Sequence, residues 1–226
     1  MYLSAKTYAL CWSLLLGVAC STYAQSNKVE RQRQLEPAIK TFEEADKNES
    51  PTKGAVLFIG SSSISLWKSL AEDFPRARVI NRGFGGSHIE DCIDFADGIV
   101  FRHRPRLIVL YAGDNDIESG KSPAGVLEDF KKFVALVHQK LPRTRIAFIS
   151  IKPSPARWHL ANKVREANRL IRNFTEHDRN LDYIDVFSPM LGKDGNPRAE
   201  LFVEDRLHLN GAGYRLWRSI VAPFVE

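Results

Sequence analysis

An acid and a histidine stand three residues apart near the C-terminus, as Asp205 and His208. A single turn can bring the Asp205 carboxylate onto the imidazole Nδ1, which leaves Nε2 free to take a proton. This is the chemistry of a general base that a carboxylate orients. Such a pair more often lies on an exposed loop and has no catalytic role. The interpretation therefore depends on which other residues the fold brings to the same place.

A serine cluster follows the first aliphatic run of the chain. Residues 60–63 read Gly-Ser-Ser-Ser and lead into Ile64, Leu66 and Trp67 at helix-like spacing. A serine at a sharp strand-to-helix turn projects its hydroxyl over the sheet edge, and the free N–H groups of the helix start can stabilise negative charge beside it. Such a serine could act as a nucleophile; the alternative is that these serines only cap the helix.

Two further loops could donate hydrogen bonds to a developing oxyanion. Residues 81–88 contain three glycines within four positions, which permits a close backbone approach with N–H groups pointing into a cleft. This loop could also be a flexible turn or a phosphate cradle, but its spacing matches neither a dinucleotide fingerprint nor a P-loop. In residues 112–116, the Asn115 side chain could donate to an oxyanion, with Asp114 and Asp116 as turn formers.

Five short aliphatic runs predict the strands that position these loops. They are apolar at almost every position, as suits strands buried on both faces of a parallel sheet, and they cover residues 55–59, 78–80, 107–111, 146–151 and 183–186. Apolar residues at helical spacing within 126–137 and 164–174 indicate βαβ units. A three-layer α/β/α domain follows, in which the loops after the strands meet at one sheet edge.

The first 24 residues differ in kind from the rest. Lys6 is their one cation, they hold no acid, and their apolar run over residues 9–20 is shorter than the roughly 20 residues that span a bilayer. We expect a signal peptide cleaved after Ala24, and therefore an exported protein that is periplasmic or secreted, with no integral membrane span. Lipid attachment at Cys20 is the alternative. Cleavage leaves Cys92 as the one cysteine, so no internal disulfide can form.

The next segment is charge-rich. Leu35, Ile39 and Phe42 are spaced by four and three residues, which predicts a helix with one apolar stripe, and residues 48–54 have the composition of a linker. The predicted organisation is therefore a signal peptide over residues 1–24, a helix and linker over 25–54, and one domain over 55–226.

Composition and charge exclude several functional classes. The chain has 226 residues, of which 44% are hydrophobic and 26% charged, so it is an ordinary globular protein and not a disordered one. Its net charge of +5 is mild, and the basic cluster at residues 102–106 lacks interleaved aromatics and is typical of a solvated helix end, so we expect no nucleic-acid partner. The histidines form no His-Glu-x-x-His pair and Cys92 has no partner cysteine, so we expect no metal.

Taken in order, the four chemical segments resemble the sequence blocks of the SGNH hydrolases, also called GDSL esterases and lipases. The matching positions are residues 60–63, 85–86, 113–116 and 205–208. The chain looks particularly similar to the branch that includes platelet-activating-factor acetylhydrolase catalytic subunits and lysophospholipase-like bacterial esterases. This resemblance implies a flavodoxin-like sheet of five parallel strands.

Carried over position by position, the resemblance implies a serine esterase that needs no cofactor and acts on a small-molecule ester. Ser62 would be the nucleophile, His208 the general base and Asp205 the residue that orients the base. The oxyanion hole would consist of the N–H groups of Ser62 and Gly86 and the side chain of Asn115. His88, just past the glycine loop, is a second candidate base, but His208 is favoured because it alone follows an acid by three residues.

The sequence departs from the family pattern at Ser61, where Asp is usual, and at Asp114, where an uncharged residue is usual. These departures keep open the alternative of a non-catalytic carbohydrate-binding or scaffold domain on the same fold. For an esterase, acetylated sugars, short acyl esters and lysophospholipids are all open as substrates. Residues 152–158 are a plausible specificity loop, and Trp67, Phe84, Trp158 and His159 could line a pocket or belong to the core.

Overall fold

This computed structural model describes residues 28–47 and 53–226. The chain divides into two compact units, residues 1–37 and 38–226. Helix α1 covers residues 28–47 and therefore begins in the first unit and ends in the second. The predicted signal peptide and residues 48–52 of the predicted linker lie outside the described residues. The predicted domain boundary after residue 54 stays a prediction.

Five strands in the second unit form one parallel sheet in the order β2-β1-β3-β4-β5. The strands are β1 Val56–Gly60, β2 Val79–Gly83, β3 Leu107–Tyr111, β4 Arg145–Ile149 and β5 Leu181–Ile184. This is the flavodoxin-like strand order, in which the chain reverses direction across the sheet between β1 and β3. The predicted three-layer α/β/α fold with a five-stranded parallel sheet is confirmed.

Helices connect the strands and cover both faces of the sheet. After α1 they are α2 Ser62–Ser65, α3 Leu70–Asp73, α4 Ile89–Asp94, α5 Ala96–Ile99, α6 Asp114–Glu118, α7 Pro123–Lys140, α8 Ala161–Thr175 and α9 Gly211–Val225. Short 3-10 segments lie at Phe101–His103, Pro155–Leu160, Ser188–Met190 and Ala199–Leu201. Helices α7 and α8 contain the two stretches whose apolar spacing predicted them.

One face of the sheet carries an aromatic core. Trp67 packs against Phe58 and Trp217, with ring centroids 5.9 and 6.0 Å apart, and Tyr111 packs on Trp217 at 5.0 Å. Trp67 is 1% exposed and so is Phe84. Both side chains therefore belong to the core, whereas Trp158 and the exposed His159 do not.

The second strand extends beyond its predicted run. Residues 78–80 correspond only to the start of β2, which continues through two polar residues to Gly83. Asn81 and Arg82 are tolerated because β2 is an edge strand and both side chains find partners. Asn81 Nδ2 donates to the carbonyl of Ile64, and Arg82 pairs with Asp46 of α1.

The basic cluster at residues 102–106 also lies against α1. Arg102 Nε is 3.4 Å and His103 Nε2 is 3.5 Å from Asp46 Oδ2. His103 is buried, and burial lowers the pKa of its imidazole. Arg106 donates to the carbonyl of Val225 at the end of α9. The cluster does follow a helical segment, Phe101–His103, and Arg104 and Arg106 are exposed, but His103 is buried rather than solvated.

Candidate active site

A tight turn between β1 and α2 places Ser62 at the sheet edge. Gly60 ends the strand with φ +120°, and a Cβ there would lie 1.8 Å from the carbonyl oxygen of Tyr111, so only glycine fits. The Ser61 N–H donates to that same carbonyl, and the Phe84 N–H donates to the Gly60 carbonyl. The turn is thus fixed between β3 and the glycine loop, and Ser62 begins α2.

The structure brings Ser62, His208 and Asp205 together across 146 residues of chain. Ser62 Oγ lies 3.0 Å from His208 Nε2, and His208 Nδ1 lies 2.6 Å from Asp205 Oδ2. A carboxylate at Nδ1 holds the proton on that nitrogen, so Nε2 is the nitrogen that accepts from the serine hydroxyl. The arrangement can therefore move a proton from Ser62 to His208.

The turn that carries the acid and the histidine is itself held by Asp205. Its Oδ1 accepts hydrogen bonds from the N–H groups of Leu207 and His208 at 2.8 and 2.9 Å. Together with the bond to the imidazole, these N–H groups lower the pKa of Asp205 to about 2, with the His208 N–H as the largest cause. Asp205 is therefore ionised throughout the neutral range, although its side chain is 47% exposed.

Asn210 fixes this turn to the last helix. Its side-chain oxygen accepts from the N–H groups of Ala212 and Gly213, which caps α9, and its Nδ2 donates to the carbonyls of Glu200 and Phe202. Because the cap lies two residues after His208, the start of α9 determines where the imidazole sits. A sequence pattern of Asn before Gly-Ala-Gly is a recognisable cap signal of this kind.

Both predicted donor loops adjoin the serine turn. A Cβ built on Gly85 would lie 3.8 Å from Ser62 Cβ, so the glycine loop passes against the serine, and Gly86 has φ +81°. Asn115, the second residue of α6, donates from Nδ2 to the carbonyl of Ser87 at 3.1 Å. The Asn115 side chain is thereby tied to the loop that contains Gly86.

His88 does not take the place of His208. Its backbone N–H donates to Asp91 at the start of α4, and its Nδ1 lies 3.9 Å from Glu90 and 4.0 Å from Asp116. Its imidazole is therefore directed at carboxylates behind the glycine loop, and His208 is the histidine bonded to Ser62.

Asp116 is buried behind the same loop. Its carboxylate accepts from the Ile89 N–H at 3.3 Å and pairs with Lys121 Nζ at 3.1 Å. Burial raises the pKa of Asp116 to about 6, against the opposing effect of Lys121. The interpretation of Asp116 as a turn former is therefore wrong, since its side chain ties α6 to α4.

Comparison with known protein families identifies the family of this chain. A family model described as GDSL-like Lipase/Acylhydrolase family matches residues 60–216, which is more than half of the chain. The chain belongs to this family. The resemblance seen in the sequence blocks is confirmed, and the protein is an ester hydrolase in the general sense of the family. A search of curated proteins found no match.

Solved structures share the fold at low identity. A Streptococcus pneumonia protein, named provisionally as a platelet activating factor, has 20% identity and a TM-score of 0.77, over 91% of this chain and 99% of that one. A GDSL-like lipase from Bacteroides thetaiotaomicron has 18% identity and a TM-score of 0.66, over 75% and 86%. A mutant of Axe2, an acetyl-xylooligosaccharide esterase from Geobacillus Stearmophilus, has 15% identity and a TM-score of 0.61, over 78% and 96%.

In this GDSL-like hydrolase, the two positions that depart from the family pattern contact each other. Ser61 Oγ donates to Asp114 Oδ1 at 3.5 Å. Asp114 Oδ2 lies 3.3 Å from Lys152 Nζ and 3.4 Å from an Arg157 nitrogen, and Lys152 Nζ also donates to the hydroxyl of Tyr111. Asp114 is therefore the acid of a buried ion cluster, and its interpretation as a turn former is wrong.

Sequence reasoning missed this cluster, although the signal was present. Asp114 follows β3 and Lys152 follows β4, and neighbouring parallel strands bring an acid and a base at their carboxyl ends to the same edge. Burial alone would raise the pKa of the Asp114 carboxyl, but Lys152 and Arg157 together lower it below its ordinary value. Asp114 is therefore ionised at neutral pH.

A narrow crevice opens beside the ion cluster. Its interior has a volume of about 10 Å³. The charged side chains of the cluster, Asp114, Lys152 and Arg157, line part of it. The apolar lining residues are Ile117, Pro153, Trp158, Leu160, Val164 and Phe187. Trp158 stacks on Phe187 with centroids 6.5 Å apart. Residues 152–158, the predicted specificity loop, thus form one wall of the crevice.

Within residues 28–47 and 53–226, no helix is long and apolar enough to cross a membrane. The same residues contain no group of three or more histidine, cysteine or acidic side chains that could hold a metal ion.

Proposed function

We propose that this GDSL-like ester hydrolase is a serine esterase that works through an acyl-enzyme on Ser62. The observation that carries the proposal is the pair of contacts at His208, 3.0 Å from Ser62 Oγ on one side and 2.6 Å from Asp205 on the other. A serine bonded to an acid-oriented imidazole is the arrangement that activates a hydroxyl as a nucleophile.

The reaction has two halves. Ser62 Oγ attacks the ester carbonyl carbon while His208 Nε2 takes the hydroxyl proton, and the tetrahedral intermediate collapses when that proton passes to the departing alcohol. A water molecule then attacks the acyl-Ser62 carbonyl, and His208 takes its proton and returns it to Ser62 as the acid leaves. Asp205 holds the imidazole tautomer and stabilises the imidazolium at each stage.

Three hydrogen-bond donors stabilise the oxyanion of each tetrahedral intermediate. They are the N–H groups of Ser62 and Gly86 and the side-chain amide of Asn115. Two observations support this. The glycine loop lies against Ser62, and the Asn115 side chain donates a hydrogen bond to the carbonyl of Ser87 in that loop. Removing one such donor costs about 10²- to 10³-fold in kcat in other oxyanion holes.

We expect the substrates to be acetyl and other short acyl esters of sugars or lipids. The crevice beside the Asp114 ion cluster is narrow, and the predicted specificity loop forms one of its walls. The fold is also shared with an acetyl-xylooligosaccharide esterase, which makes acetylated sugars the first natural substrates to test.

A ladder of p-nitrophenyl esters, from acetate to long acyl chains, tests the proposal with purified residues 25–226. We expect hydrolysis that is fastest for acetate and that Ser62→Ala lowers by about 10⁴-fold or more. Ser65→Ala is the matched control, because Ser65 is also a half-buried serine of α2 and its hydroxyl donates to the carbonyl of Ser62. We expect this control to stay within a few fold of the wild type.

The opposite outcome would favour the non-catalytic alternative. A folded protein that hydrolyses no ester of the ladder would behave as the carbohydrate-binding or scaffold domain that the sequence left open. Activity that survives in Ser62→Ala would instead contradict the assignment of the nucleophile.

We also propose that the protein is exported, because residues 1–24 have the composition of a secretory signal peptide. N-terminal sequencing of the protein from its native host tests this, and we expect a mature chain that begins at Gln25. An intact Met1 on the mature protein would contradict export by cleavage, and a lipid-modified Cys20 at the N-terminus would favour the anchored alternative.

A further inference from the structure

Arg157 is bonded to the side chain of Asn115. Its guanidinium NH1 donates to Asn115 Oδ1 at 3.1 Å and lies 3.4 Å from Asp114 Oδ2, while its Nε lies 3.5 Å from Glu118 Oε2. The Arg157 side chain is 19% exposed. Two carboxylates of α6 therefore hold the guanidinium against the amide of the residue that lies between them.

This bond decides which way the Asn115 amide points. A guanidinium has only donors, so it can bond to the amide oxygen and not to the amide nitrogen. With Oδ1 held by Arg157, Nδ2 lies on the side of the glycine loop, where it donates one N–H to the Ser87 carbonyl. The proposed oxyanion hole would use the second N–H of the same amide nitrogen.

The same bond changes the strength of the amide as a donor. A cation at the amide oxygen withdraws electron density from the nitrogen and makes its N–H groups better donors, as in other hydrogen-bond chains that polarise one another. The effect is larger where water is excluded, and the neighbouring Asp114 and Lys152 side chains are 8% and 1% exposed.

We propose that Arg157 is a positioning residue for catalysis, which acts through Asn115 by fixing and polarising its amide toward the oxyanion. The inference rests on the proposed serine esterase function. It explains why a charged cluster lies beside the predicted oxyanion hole: Asp114 and Glu118 orient the guanidinium, and the guanidinium orients Asn115.

A purely structural role must be distinguished, because the segment that carries Arg157 also supports the Asp205 turn. The Ala156 N–H donates to the carbonyl of Arg206, between Asp205 and His208. A variant of Arg157 could therefore lower activity by moving the histidine. A double-mutant cycle with Asn115 separates the two effects, since a displaced histidine would cost activity whether or not Asn115 is present.

The experiment measures kcat and KM for p-nitrophenyl acetate in the wild type, Arg157→Met, Asn115→Ala and the double variant. We expect Arg157→Met to lower kcat by about 10- to 100-fold with KM changed less than about 3-fold. When Arg157→Met is added to Asn115→Ala, kcat should fall by less than about 3-fold relative to Asn115→Ala alone. Arg169→Met is the matched control, because Arg169 is exposed and pairs with Glu166 on its own helix, and we expect it to match the wild type.

Arg157→Lys is carried through the same cycle in case Arg157→Met does not fold. It keeps the positive charge beside Asp114 but replaces the planar fork by a single ammonium. We expect a smaller loss of kcat that again disappears in the Asn115→Ala background.

Two results would overturn the proposal. One is a kcat near that of the wild type in both Arg157 variants, and the other is an equal loss of kcat with and without the Asn115 side chain. Ser62→Ala in the same assay keeps the two proposals apart. If it stays active, the serine mechanism fails; if it is inactive while the cycle shows no coupling, only the role of Arg157 fails.

Discussion

Two sets of charged groups near Ser62 are built in opposite ways. Asp205 and His208 are three residues apart on one turn, and their side chains are 47% and 29% exposed. Asp114 and Lys152 come from different strand ends, 38 residues apart, and their side chains are 8% and 1% exposed. The exposed pair touches the proposed nucleophile directly, whereas the buried pair touches Ser61 beside it.

The difference corresponds to what each set does. In the proposed mechanism the histidine gains and loses a proton in every cycle, so it is best placed where both protonation states are solvated, and a carboxylate bonded to it needs only to stay ionised. The buried ions keep fixed charges, so they can hold the loops around Ser62 without taking part in proton transfer. Substitutions in the exposed pair should therefore affect turnover, and substitutions in the buried pair should affect stability first and turnover only through the orientation of Arg157.

The largest expected effect is on the exposed side. Asp205→Asn should lower kcat by about 10³- to 10⁴-fold, because the amide no longer fixes the productive tautomer of His208. Because the Asn side chain keeps an oxygen that can accept from the N–H groups of Leu207 and His208, the melting temperature of the variant should stay close to that of the wild type. Asp194→Asn is the matched control, because Asp194 is also an exposed acid that accepts a backbone N–H two residues on, from Asn196. Kinetics and thermal melting of both variants check the prediction.

An equal loss of activity in Asp205→Asn and Asp194→Asn would contradict this account, and so would a cooperative loss of stability in Asp205→Asn alone. Either result would mean that the Asp205 carboxylate supports the fold of the turn more than the chemistry of the histidine.

The second prediction concerns the buried side. Lys152→Met should destabilise the protein by about 3 kcal/mol, because it leaves the Asp114 carboxylate buried with one cation fewer. Adding Asp114→Asn should recover part of that loss, since the uncompensated charge is then removed. Denaturant unfolding of the two single variants and the double variant measures these free energies. A Lys152→Met variant as stable as the wild type would contradict the view that this ion pair supports the loops.

The third and smallest effect is on the pH profile. Because the pKa of Asp205 is lowered to about 2, its carboxylate stays ionised as pH falls from 8 to about 4. Over that range Asp205 takes up no proton, so of the Asp205–His208 pair only the proposed base can control the rate, and log kcat/KM should fall on the acid side with a slope of one. A slope of two between pH 4 and 6 would show that a second group, such as the Asp116 carboxyl with its pKa near 6, also controls the rate.

How much of this the sequence could predict depends on how local each feature is. The Asp205–His208 pair was readable because both side chains belong to one turn, and the central strand over residues 107–111 because an unbroken apolar run predicts a buried strand. The contact of Lys152 with Asp114 depends on β3 and β4 being neighbours in the sheet. The residue pattern within either strand does not predict which strand lies beside it. The polar end of β2 was missed for a similar reason, because Asn81 and Arg82 find partners elsewhere in the fold.

The central claim is that Ser62 is the activated nucleophile, and covalent labelling tests it most directly. A fluorophosphonate reacts with an activated serine when Oγ bonds to phosphorus and fluoride leaves. We predict one phosphonate adduct per chain, mapped by mass spectrometry to Ser62, and its absence in Ser62→Ala and in His208→Ala. An esterase that hydrolyses p-nitrophenyl acetate while its adduct maps to another residue, or while it forms none, would contradict the account.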